Sequence, residues 1–145
     1  MGVLNLSFKI RKMHKLDNTR VYNFLKDEVD TKDLMKNIKE HIRNGICYKL
    51  QDSKDEIKGI FLAMKFKDNI SLTYYFLADE IRKKPISLKF FLVCMQELDP
   101  LLPILIVKNK NFYTYQRYFK EIEGTDLLIF SGFRDSYIKK LEECL

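Results

Sequence analysis

Leu6, Phe8 and Ile10 alternate with Ser7, Lys9 and Arg11, the two-residue period of a half-buried strand. The period then lengthens. Val21, Phe24 and Leu25 after Asp17 or Asn18, and Leu34, Met35, Ile38 and Ile42 after Asp30 or Thr31, predict two short helices with side chains able to cap their first turns. Gly45 closes the second. Ile46–Leu50, Ile57–Phe66 and Ile70–Leu77 are rich in β-branched and aromatic residues and are divided by polar stretches, so they predict an antiparallel meander. Between Pro85 and Leu98 the pattern is helical, with Leu88, Phe91, Leu92, Met95 and Leu98 on one face and Phe90, Val93 and Cys94 widening it. Such a helix is buried on more than one side. Pro85 belongs in its first turn, where a missing N–H costs nothing.

Pro100 and Pro103 interrupt the chain before a short apolar strand, Ile104–Val107. Phe112, Tyr115, Phe119 and Ile122 at helical spacing predict another amphipathic helix ended by Gly124, and Asp126–Phe130 a last strand. Phe133, Tyr137, Ile138 and Leu141 predict a terminal helix or tail. The order is β-α-α-β-β-β-α-β-α-β. It describes an α/β (α+β) fold: one mixed, mostly antiparallel sheet of about six strands with helices on both faces.

With 145 residues the chain is long enough to bury a core as one domain, and it contains no repeat or linker. Its 46% hydrophobic and 13% aromatic content, with 5 Gly and 3 Pro, excludes disordered and collagen-like classes. No apolar run reaches the roughly 20 residues that span a bilayer, and no signal-peptide stretch follows the basic N-terminus, so a cytoplasmic protein with no membrane partner is expected. Cys47, Cys94 and Cys144 are scattered and read as reduced thiols, and with His14 and His41 they show no metal-ligand spacing, so no metal is expected. His14 and His41 read as surface or capping residues and Cys94 as a small core hydrophobe. The net charge of +6 suits a polyanion or a phosphorylated cofactor, and equally a solvated lysine surface.

The order of elements resembles the Gcn5-related N-acetyltransferase (GNAT) fold over residues 6–133, leaving 134–145 as an added tail. Phe8-Lys9-Ile10-Arg11-Lys12-Met13 followed by Asp17 looks like that family's opening strand and first turn. At the end of the fourth strand, where the family has an acidic residue and then Arg-Gly-x-Gly-x-Gly (or Ala) opening a helix, this chain reads Asp79-Glu80-Ile81-Arg82-Lys83-Lys84-Pro85-Ile86-Ser87. Glu80, Arg82, Lys84 and Ile86 match, while Lys83, Pro85 and Ser87 replace the small positions. Glycines there let backbone N–H groups converge on a pyrophosphate at a helix N-terminus. Pro85 removes one donor, leaving Arg82, Lys83 and Lys84 to attract phosphate by charge. The loop reads either as a modified coenzyme A site or as a solvated basic loop on an inherited scaffold.

Asn111, Tyr118 and Gly124 resemble the family's Asn, Tyr and closing Gly around the helix after the fifth strand. The resemblance implies acetyl-CoA as cofactor, Tyr118 as the general acid for the departing thiolate, and Leu77, Arg82, Lys83, Lys84, Ser87 and Asn111 as cofactor contacts. It also places the pantetheine arm between Leu72–Leu77 and Ile104–Val107. Tyr118 fits an aromatic packing face as well. No distinctive general base stands out, although Asp79 and Glu80 are near.

Two functions follow: transfer of an acetyl group from acetyl-CoA to an amine, or a catalytically inactive binding or assembly protein of the kind seen in bacteriophage virions. The second has an aromatic surface of Tyr74, Tyr75, Tyr113 and Tyr115 together with the tail, for a protein partner or a second copy. It extends the expected location to a host cytoplasm or virion. Basic and aromatic residues interleave from Lys108 to Tyr113, but without any nucleic-acid-binding motif, so nucleic acid is not an expected partner.

Overall fold

The computed structural model describes residues 8–29, 32–99, 101–107 and 118–130. Strand β1 (Lys9–Lys12) precedes a 3₁₀ turn (Lys15–Asp17) and helices α1 (Asn18–Leu25) and α2 (Leu34–Asn44). Strands β2 (Ile46–Gln51), β3 (Ile57–Lys65) and β4 (Ile70–Leu77) follow, then a second 3₁₀ turn (Asp79–Ile81) and helix α3 (Pro85–Gln96). Strands β5 (Ile104–Val107), β6 (Phe119–Glu121) and β7 (Leu127–Phe130) complete one seven-stranded sheet of order β1-β2-β3-β4-β5-β7-β6. Among the described residues, only β4 and β5 pair in parallel and the other pairings are antiparallel.

The alternation of side chains along the strands divides the interior in two. Leu50, Phe61, Leu72, Tyr75 and Leu77 join Phe90, Phe91, Cys94 and Met95 of α3 on one face. Cys47, Ile60, Leu62, Tyr74 and Phe76 join Val21, Leu25, Leu34 and Ile38 of α1 and α2 on the other. Phe8 and Ile10 pack on the α3 side, whereas Lys9, Arg11 and Lys12 keep edge strand β1 charged and exposed, which discourages pairing with a foreign strand.

Several readings of the sequence need correction. Strand β6 occupies part of the expected helix: Phe119 is buried and alternates with exposed Lys120, and Phe119 pairs with Phe130. Gly124, with φ +78°, turns the β6–β7 hairpin rather than ending a helix. Residues 112 and 115, and the tail after 130, lie outside the described residues. Tyr74 and Tyr75 are 7% and 0% exposed, because central strand β4 is covered on both faces, so they form no surface patch; Tyr113 and Tyr115 lie outside the described residues.

Helix α2 has Asp33 at its N-cap, not Asp30 or Thr31, which also fall outside the described residues. Gly45 closes α2 in an extended conformation, and its role is clearance: a Cβ there would meet the carbonyl oxygens of Ala63 and His41 at 2.2 and 2.7 Å. His14 does cap: it accepts from the Leu16 N–H and donates its own N–H to Asp17. His41, by contrast, is buried.

Candidate functional site

Strand β4 carries the feature that shapes the site. Opposite it, Ala63 pairs with Leu72 and Leu62 with Tyr74, so Thr73 has no partner on β3. This is a β-bulge, which bends a strand and places two neighbouring side chains on one face. Thr73 reaches His41 of α2, and Tyr74 packs in the α1/α2 core beside it. On its other side β4 pairs with β5 only at Ile70, Ser71 and Leu72, and Leu72↔Ile106 is the last pairing between them among the described residues. Among the described residues β5 ends one residue later, at Val107, while β4 continues past the bulge to Leu77.

Beyond Leu77 the chain turns into α3, and the turn is bonded to itself. The N–H groups of Ile81, Arg82, Lys84 and Ser87 donate to the carbonyls of Ala78, Asp79, Ile81 and Lys84. The Ser87 hydroxyl, in a 2% exposed residue, donates to the Lys84 carbonyl at 2.7 Å and the Arg82 carbonyl at 3.1 Å. Arg82 donates from Nε to the Leu77 carbonyl at 3.2 Å and pairs with Asp79 at 2.9 Å. Glu80 pairs with Lys58 at 2.6 Å; that bond holds the Glu80 carboxyl below and the Lys58 ammonium above their ordinary ranges. Lys83 and Lys84 are exposed and form no ion pair among the described residues.

Leu77, Arg82, Lys83, Lys84 and Ser87 thus come together in one turn at the N-terminus of α3. Pro85 occupies the first position of that helix, as expected. A small open cleft of about 120 Å³ adjoins the turn, lined by Phe24 and Glu28 at the end of α1, by Phe76, Leu77 and Ala78, and by Asp79 and Arg82. Sequence reading missed Phe24, Glu28 and Phe76 as site residues, since the first and last read only as core positions. Tyr118 immediately precedes β6, packs half-buried on the α3-side core and does not line this cleft. Asn111 lies outside the described residues.

The overall arrangement of this sheet and its helices is matched in known structures. A GNAT-family acetyltransferase of Bacillus cereus is similar at TM-score 0.65 and 17% identity, over 88% of this chain and 99% of its own. The chain has the Gcn5-related N-acetyltransferase fold. A GNAT-family N-acetyltransferase of Escherichia coli, solved with coenzyme A, is similar at TM-score 0.66 and 10% identity over 86% of this chain and 81% of its own. Diaminobutyrate acetyltransferase of Paenibacillus lautus, solved with L-2,4-diaminobutyric acid and coenzyme A, is similar at TM-score 0.63 and 14% identity over 88% and 97%. No family model matches the sequence, and no curated protein does.

Within the GNAT fold the described residues differ from the expected phosphate loop in how their donors are used. Four N–H groups are already bonded inside the turn, and Pro85 contributes none. What the turn presents outward is the charge of Lys83 and Lys84. No helix among the described residues is long and apolar enough to cross a membrane.

Proposed function

We propose that this protein binds an acyl-CoA and transfers the acyl group, an acetyl in the simplest case, to a small amine. The observation that carries the reading is a basic turn and an α1-side cleft at the end of β4, beyond its last described pair with β5 at Leu72. A strand edge left open there offers backbone groups to an amide-bearing arm. The turn suits phosphates through the point charges of Lys83 and Lys84, with Arg82 held in place by Asp79 and the Leu77 carbonyl. Leu77 lies where the strand edge meets the turn, Ser87 keeps the turn closed, and Asn111 completes the contacts by resemblance.

When bound, acetyl-CoA supplies the acyl group as a thioester. The acceptor ammonium must lose a proton before its nitrogen can attack, and the carboxylates of Glu28 and Asp79 border the cleft where a water or the group itself takes it. Phe24 and Phe76 give the cleft apolar walls, which favour a short aliphatic acceptor. The Tyr118 hydroxyl, by resemblance the general acid, is the group that would return a proton to the departing thiolate.

The self-bonded turn favours a second reading, in which the GNAT scaffold serves as a binding or assembly protein without transfer. Calorimetric titration with acetyl-CoA, backed by thermal denaturation, separates the two. Micromolar binding, weakened about tenfold by Arg82→Ala, supports the transferase. No heat and no shift at millimolar acetyl-CoA removes it and leaves the second reading.

A further inference from the structure

We infer that His41 is a positioning residue that clamps the bulge of β4 and thereby fixes the register of the β4 edge beyond Leu72; its consequence for ligands rests on the cofactor reading above. His41 is 8% exposed, and each ring nitrogen has a partner at 2.7 Å: Nδ1 the Asn37 carbonyl, Nε2 the Thr73 hydroxyl. A carbonyl only accepts, so Nδ1 carries a proton. In the neutral ring Nε2 then accepts from Thr73, whose oxygen lies 3.4 Å from the Ser71 hydroxyl. The bonds run in one direction, from Ser71 through Thr73 to His41 and on to the backbone of α2.

Four further contacts converge on the same place. Asn37, one turn earlier on α2, donates to the Tyr74 hydroxyl at 3.4 Å, and the His41 and Tyr74 rings are 5.7 Å apart. Both residues displaced to the α2 face by the bulge are therefore held by α2. The backbone of His41 is pinned in turn, since its carbonyl accepts from the Gly45 N–H at 2.6 Å and from the Cys47 thiol at 3.2 Å. Gly45 passes so close to the Ala63 carbonyl that no side chain fits there, and Ala63 is the β3 residue at the register shift. Helix α2 is thus pressed against both strands of the bulge, and His41 supplies the polar contact that an unpaired Thr73 needs.

Without that contact Thr73 loses its anchor on α2, and the extra residue migrates along β4 more readily, shifting the β4 edge beyond Leu72 with it. The test compares His41→Leu, Thr73→Val, the double variant and His41→Gln with Ile38→Val, which trims the same α2–sheet core but removes no hydrogen bond. Backbone amide exchange is measured on each free protein, at a temperature where all are folded. Faster exchange at residues 72–75 in His41→Leu and Thr73→Val, absent in Ile38→Val and partly reversed in His41→Gln, is expected. Unchanged exchange there, or the same increase in Ile38→Val, overturns the clamp whether or not the protein binds a cofactor. If the wild type binds CoA, either single variant weakens it about tenfold and the double variant no further; wild-type affinity in His41→Leu overturns the link between the bulge and cofactor binding.

Discussion

Asp17 and Lys49 show how a single pair can be both hidden and ionised. Their side chains are 2% and 6% exposed, and the Lys49 ammonium donates to both Asp17 oxygens at 2.8 and 2.9 Å. Burial by itself pushes the Asp17 carboxyl up, but the Lys49 hydrogen bond, the His14 N–H and the Lys49 charge together bring it below its ordinary 3.8. Such a carboxylate contributes stability above the unfolded value and loses it as pH falls through the lower folded one. Melting temperature in the wild type should therefore drop between about pH 5 and pH 2 more steeply than in Asp17→Asn/Lys49→Met. Asp17→Asn alone strands a buried ammonium and should cost about 3 kcal/mol by denaturant titration. At the proposed site, Tyr118→Phe should slow single-turnover acyl transfer at least tenfold with CoA affinity unchanged; an equal rate would make Tyr118 a packing residue.

At the scale of elements the backbone itself is selective. Gly45→Ala drives a Cβ into two carbonyls, neither on a flexible side chain, and should lower stability by about 3 kcal/mol in the same titration. Pro85→Ala restores one N–H at the first position of α3; where that donor limits phosphate binding, CoA affinity should rise several-fold, and an unchanged dissociation constant would assign phosphate binding to the basic side chains of the turn rather than to its backbone. Runs such as Ile57–Phe66 and Ile70–Leu77 made their strands legible, because β-branched and aromatic residues between polar turns admit few other readings. Strand β6 was hidden, since three residues carry no period and Phe119 stands at helical spacing from Tyr115. The bulge at Thr73 has no local signal either: it arises from pairing with β3 and from His41, whose burial is invisible until α2 lies on the sheet. Of the site, the basic turn was legible as a broken motif, whereas Phe24 of α1 and Glu28 just beyond that helix were not, because only tertiary packing brings them to the end of β4.

At the scale of the molecule, two half-sheets meet at a parallel joint. Strands β1–β4 form an antiparallel unit, β5, β7 and β6 another, and among the described residues three residue pairs connect them. A ligand lying at that joint touches both units, so CoA should slow amide exchange in β4 and β5 together; protection confined to one of them would place the ligand elsewhere. The same joint governs how the protein is made. During synthesis β1–β4 can zip together strand by strand while β5–β7 are still to come, so the outer edge of Ile70–Leu77 emerges as a bare, apolar template. The next segment to leave the ribosome is α3, apolar on nearly every side, and it covers one face of that strand but not its edge. Until Ile104–Val107 arrives, the nascent chain carries an adhesive border that only a chaperone or speed protects, and the aggregation hazard of this protein is concentrated in the roughly thirty residues of translation between the two strands.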